Sequence, residues 1–147
     1  MSAIDLSGAS GVVELLLCLR RGIAGTGDGA LGRDLIGRID ADLCRLGHVP
    51  PPDAATGGAA LHPVAVDYVL LGSRMGTEVL RRQLPDDARD LSYFRRDPEH
   101  VARWRALTDM LSGRPASGAD ADRIVADARR AFALFDDNAV SRGLTAA

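Results

Sequence analysis

The chain contains no lysine, only two cysteines, and no apolar run long enough to cross a bilayer. Each shortage excludes something. All 18 basic side chains are arginine and face 20 acidic ones, leaving a formal net charge of −2. Such a balance supplies no electrostatic pull toward nucleic acid or an anionic membrane surface. The lysine-free composition, rich in Ala, Gly, Arg and Asp, reads as the imprint of a GC-rich genome rather than of a function. Cys18 and Cys44 lie in helical apolar patterns and not at metal-ligand spacing, so both are expected to be small buried hydrophobes in a reducing compartment. The apolar stretch at 12–19 follows Asp5, is interrupted by Glu14, and is too short for a membrane span. With no secretory signal legible, the cytoplasm is the expected location. No alternating run is long enough for a strand. No glycine loop follows a strand to cradle phosphate, no Cys/His set has metal spacing, and no nucleophile–base arrangement is legible.

What remains is helical, and its length suits one domain spanning residues 1–147. The organising stretch is 61–84, LHPVAVDYVLLGSRMGTEVLRRQL. Pro63 suits a first helical turn and Pro85 stops the pattern. Val66, Val69, Leu70, Tyr68, Met75 and Leu80 make the segment apolar nearly all round before Gly72 and amphipathic after it. Glycine costs about 1 kcal/mol relative to alanine inside a helix, so Gly72 and Gly76 need a reason. Four residues apart, they share one face and leave a shallow groove of bare backbone. Spacing alone favours a crossing helix. The sharper alternative is a planar ligand with Ser73 and Arg74 at its edge.

Before this segment, Ser10 is expected to cap a helix over 11–23 bearing Val12, Leu15, Leu16 and Leu19, which Gly22, Gly25, Gly27 and Gly29 end in a loose link. A second helix over 30–46 places Leu31, Leu35, Ile39, Leu43 and Leu46 at helical spacing, and Gly47 closes it. An irregular loop follows at 48–58. After 84 comes a polar linker in which Leu91, Tyr93 and Phe94 tuck back against the core. Asp97, Pro98 and Glu99 form a strong helix start for Val101, Trp104, Leu107 and Leu111, with Gly113 and Pro115 at its end. A last helix over 117–138 presents Ile124, Ala128, Ala131, Phe132 and Phe135. The expected fold is all-α, about five helices with a glycine-kinked central one.

Tyr68-Val-Leu-Leu-Gly72-Ser73-Arg74-Met75-Gly76 resembles the distal-helix motif of bacterial haem oxygenases, above all the biliverdin-forming enzymes associated with bacterial phytochromes. The order of helices from the leucine-rich one at 11–23 onward is similar to that family from its second helix. The resemblance implies a haem-oxygenase-like bundle whose central helix kinks at the glycines. It implies haem, or a related tetrapyrrole, lying against Gly72, Ser73 and Gly76, with Tyr68 one turn earlier and Arg129 and Arg130 near the haem edge. Leu71 stands where bacterial members often carry glutamate. The family's first helix, which supplies the iron-ligating histidine, has no counterpart before Gly11, and the first histidine is His48.

The resemblance therefore implies two functions. One is tetrapyrrole binding, with oxygen-dependent cleavage to biliverdin needing an axial histidine and an external reductase. The other is a non-catalytic regulatory module that contacts a phytochrome, another signalling protein or a second copy through an exposed apolar face. No residue is assigned as catalytic and none as a metal ligand. His48 reads as a loop residue or capping cation, His62 as structural at the mouth of the central helix, and His100 as lying on a polar face. The pairs Arg81–Arg82, Arg95–Arg96 and Arg129–Arg130 can hold carboxylates or phosphates bidentately, but solvated helix faces are the expected explanation for all three. Asp120, Asp122, Asp136 and Asp137 read as surface acids.

Overall fold

The computed structural model describes residues 4–52 and 60–141, with side chains up to Phe135. The expected loop positions 53–58 and the side chains of Asp136 and Asp137 lie outside the described residues. All regular structure among the described residues is helical: α1 (Ala9–Gly25), α2 (Ala30–Arg45), α3 (Pro63–Met75), α4 (Thr77–Gln83), α5 (Pro98–Ser112) and α6 (Ala119–Ser141). Two 3-10 turns, Asp86–Ala88 and Ser92–Phe94, link α4 to α5. The central helix expected over 61–84 is thus divided into α3 and α4, and the break falls at Gly76. Short i to i+3 bonds mark the join, from Gly76 N–H to Ser73 O at 3.1 Å and from Val79 N–H to Gly76 O at 3.2 Å.

Helix ends follow local chemistry, with two corrections. Ser10 is not the cap of α1. The helix starts two residues earlier, at Ala9 behind Gly8, whose position lacks a side-chain cap, while Ser7 and Asp5 bond each other in the turn before it. Gly22 does not end α1 either; the helix runs through it to Gly25 and closes where the Thr26 hydroxyl donates to Ile23 O at 2.6 Å. Gly22 stays helical because α6 lies against it: a Cβ there would come within 2.5 Å of the Phe135 ring. α2 ends as expected. Gly47 has φ +84, and the N–H groups of His48 and Gly47 return to Leu43 O and Cys44 O at 2.8 and 3.0 Å, a Schellman closure. Asp97 caps α5 by accepting from Glu99 N–H at 2.9 Å, with Pro98 in the first turn.

The core gathers Val12, Leu16 and Ile23 of α1, Leu35, Ile39 and Leu43 of α2, and Leu70 and Leu71 of α3. Leu84, Leu91, Tyr93 and Phe94 from the linker close it, as their apolar character requires. α1 packs on α2 and α6, and α3 on α5 and α6. Cys18 is buried, but Cys44 is exposed, because it faces away from the Leu35–Ile39–Leu43 stripe. No helix among the described residues is long and apolar enough to cross a membrane.

Candidate functional site

The bare backbone at Gly72 has a neighbour. A Cβ built there would meet the six-membered ring of Trp104 at 3.4 Å, so α5 lays its indole over this face of α3 and leaves room for no more than a methyl. Tyr68, one turn earlier, lies beside the same indole with ring centroids 5.3 Å apart and planes tilted by 39°. The crossing-helix explanation of Gly72 is therefore the one the packing supports, and a planar ligand on that face would have to displace Trp104. Gly76 has a different use, since it sits at the α3–α4 break with only Ser73 O, at 3.6 Å, near its would-be Cβ. The Ser73 hydroxyl turns back to Leu70 O at 2.8 Å. Arg129 and Arg130 are exposed on α6, and Arg130 pairs with Asp127 at 3.6 Å.

The histidines are placed by different partners. His48 is exposed just past α2. His62 is the cap of α3: its Nδ1 accepts from Val64 N–H at 3.1 Å, its Nε2 meets Asp120 at 3.1 Å, and its backbone N–H donates to Asp127 at 2.7 Å. His100 corrects the expectation of a polar face. It is 4% exposed, because its ring fills the α3–α5 seam and meets Arg74.

Arg74 is the side chain around which a second site is built. Though 6% exposed, it donates from Nη1 to Tyr93 O at 2.5 Å, from Nη2 to Arg95 O at 3.0 Å and from Nε to His100 Nδ1 at 3.3 Å. Its guanidinium also stacks 4.7 Å from the Tyr93 ring centre. From the other side Asp42 of α2 accepts from the N–H groups of Ser92 and Tyr93 at 2.7 and 2.8 Å. Two long-range anchors thus hold the linker in place, and between it, α4 and the start of α5 lies a cavity of about 800 Å³.

That cavity is basic. Six arginines line it (74, 81, 82, 89, 95 and 96) against three acids, Glu78, Asp90 and Asp97. Met75, Phe94 and Val101 give it an apolar part. Arg89 is committed to Leu84 O and Asp86, and Arg95 to Asp90 O, so both mainly hold the linker. Arg81 donates to both oxygens of Glu78 at 2.9 and 2.7 Å, whereas Arg82 reaches that carboxylate only at 3.8 Å. The Arg81 bonds, followed by the Arg82 and Arg96 charges, hold the Glu78 carboxyl below its ordinary value. Burial pushes the His100 imidazole down, with Arg74 and Arg38 pushing the same way and Asp97 and Asp34 opposing. Excess guanidinium charge in a concave site attracts anions, and the planar forks match two-oxygen acceptors.

The Arg81–Arg82 and Arg95–Arg96 pairs line the cavity, whereas Arg129–Arg130, the pair to which the resemblance points, does not. The usable signal was position: one pair ends the broken central helix and the other immediately precedes the α5 cap. Among the described residues no cluster of three or more His, Cys, Asp or Glu is arranged to hold a metal ion. Compared with protein-family models, with curated proteins and with solved structures, the chain matches none.

Proposed function

We propose that this chain is a helical binding module that captures an organic anion in the arginine-lined cavity beside the α3–α4 break. The observation behind this reading is the crowding of six arginines against three acids around about 800 Å³. That volume falls within the range of about 300–1,000 Å³ typical of small-molecule sites. Cys18 and Cys44 are not joined in a disulfide, which supports a reducing, cytoplasmic setting. The test is a titration of the full chain with phenyl phosphate and with uncharged phenol, followed by amide NMR shifts. Phenyl phosphate alone should move the amides of Met75, Glu78 and Val101, and the Arg82→Ala/Arg96→Ala double variant should abolish the movement. Equal shifts with phenol, or shifts that survive the double variant, would remove the cavity from consideration.

A second reading keeps the resemblance to haem oxygenases and takes a tetrapyrrole as ligand. It is supported by the break at Gly76, which the Tyr68–Gly76 motif implies. The residues as arranged fit haem poorly: Trp104 covers Gly72, His62 is engaged as a cap, and His100 is buried against Arg74. No cleavage step follows from them. Haemin titration tests this reading, since a saturable Soret shift weakened by Gly76→Leu supports it and an unchanged spectrum ends it. Its non-catalytic form, contact with a phytochrome, another signalling protein or a second copy, is supported by the half-covered apolar stripe of α5 and is read by sedimentation.

A further inference from the structure

We infer that Glu78 is an internal placeholder for the ligand's anionic head, and that the cavity selects a small-molecule phosphate monoester over a monocarboxylate. The inference rests on the cavity being the anion site. Glu78 sits in the first turn of α4 and offers both carboxylate oxygens to the Arg81 fork, at 2.9 and 2.7 Å. Arg82 stands 3.8 Å from the same carboxylate, and the Arg96 charge acts on it from the segment before α5. One guanidinium thus grips the carboxylate, a second stands beside it, and Arg96 lines the same cavity. The arrangement is the shape of an oxyanion site already filled by one of the protein's own groups.

Glu78 is 40% exposed at its side chain, so it can swing outward once it releases the Arg81 fork. An incoming anion must take its place on the Arg81 fork. A monocarboxylate exchanges like for like: the number of charge-assisted bonds stays the same, while the ligand loses translational and rotational freedom. A phosphate monoester carries about −1.5 to −2 charge near neutral pH and three acceptor oxygens, so it satisfies Arg81 and also engages Arg82 and Arg96. The discrimination comes from Arg82 and Arg96, which the second charge and third oxygen can engage, while the displaced glutamate adds the same cost to every anion and sets the overall threshold for entry. A cavity of about 800 Å³ leaves room beyond the phosphate, and Met75 and Val101 offer an apolar surface to the ester's organic part.

The experiment is calorimetric titration of the full chain with three probes: phenyl phosphate, inorganic phosphate and benzoate. The proteins are the unaltered chain, Glu78→Gln and Arg96→Ala, each checked for helicity and melting first. The unaltered chain is expected to bind phenyl phosphate about tenfold more tightly than benzoate, and also more tightly than inorganic phosphate. Glu78→Gln keeps the side-chain shape and removes the charge. It should tighten both organic anions by a similar factor and leave the preference for phosphate in place, since that preference rests on Arg82 and Arg96. Arg96→Ala should weaken phenyl phosphate by about tenfold and benzoate much less. Unchanged affinities in Glu78→Gln, with binding still lost in Arg96→Ala, would overturn the placeholder and leave the anion site standing. Absence of binding by all three probes to both the unaltered chain and Glu78→Gln would overturn the site itself. Inorganic phosphate binding as tightly as phenyl phosphate would overturn the assignment of an ester.

Discussion

Arg74 Nε donates to His100 Nδ1 across the α3–α5 seam at 3.3 Å, and this bond fixes the tautomer of the imidazole. With Nδ1 as acceptor, the proton of the neutral ring resides on Nε2. That nitrogen faces Asp97 at 3.7 Å and Asp34 at 3.9 Å. The ring therefore bridges a cation on one side and two carboxylates on the other, and its protonation would set Nδ1–H against the guanidinium.

The first prediction is a pH dependence. Burial, with Arg74 and Arg38, holds the folded His100 imidazole below 6.5, so folding favours the neutral form. Its contribution to stability is whole above the unfolded value of 6.5 and is lost as pH falls through 6.5 toward the lowered folded value. Thermal melts of the unaltered chain should drop between about pH 7 and about pH 5. His100→Gln, whose amide oxygen can still accept from Arg74, should drop less. Equal losses in the two proteins would contradict this assignment.

Arg74→Lys is expected to behave as a damaging substitution despite keeping the charge. A lysine ammonium reaches one of the three acceptors at Tyr93 O, Arg95 O and His100 Nδ1, and it cannot stack flat on the Tyr93 ring. Leaving buried acceptors unmade costs about 2–3 kcal/mol, measurable as a lower urea midpoint. Amide exchange at Tyr93 to Arg96 should speed up in the same variant.

Asp42→Ala removes the opposite anchor of the linker. The N–H groups of Ser92 and Tyr93 would lose their charged acceptor in a buried setting, at a cost of about 2–4 kcal/mol in chemical denaturation. Asp42→Asn should recover roughly half of this, because its amide presents one oxygen where the carboxylate presents two. A neutral result for Asp42→Ala would mean that core burial of Leu91 and Phe94 suffices to hold the segment.

Two glycine-to-alanine changes separate by geometry. At Gly22 a new Cβ comes within 2.5 Å of the Phe135 ring, so Gly22→Ala should cost about 1–2 kcal/mol, with partial rescue by Phe135→Leu. At Gly72 the new methyl lies 3.4 Å from Trp104, ordinary contact, and helix propensity gains up to about 1 kcal/mol. Gly72→Ala should therefore be neutral or stabilising in thermal melts, whereas Gly72→Leu should dislodge the indole.

The helices were legible where their punctuation is local. Gly47 closes α2 and Asp97 with Pro98 opens α5 through bonds reaching only a few residues along the chain. Ser10 misled because capping propensity was overridden by the Asp5–Ser7 turn, which starts α1 earlier. Gly22 misled because its reason, Phe135, lies in the last helix. The cavity was the least legible part. Its arginine pairs come together only through the linker, and what fixes the linker is Asp42 fifty residues before Ser92, and Arg74 nineteen before Tyr93. Nothing in the local pattern at His100 announces that its partner is Arg74.

Trp104 is the chain's one tryptophan, and it rests on Gly72 in the seam between α3 and α5. Ultraviolet emission from this protein consequently reports a single place. Any event that lifts α5 from α3 will redden and quench that light without an added label, while changes confined to α1 and α2 will leave it as it was.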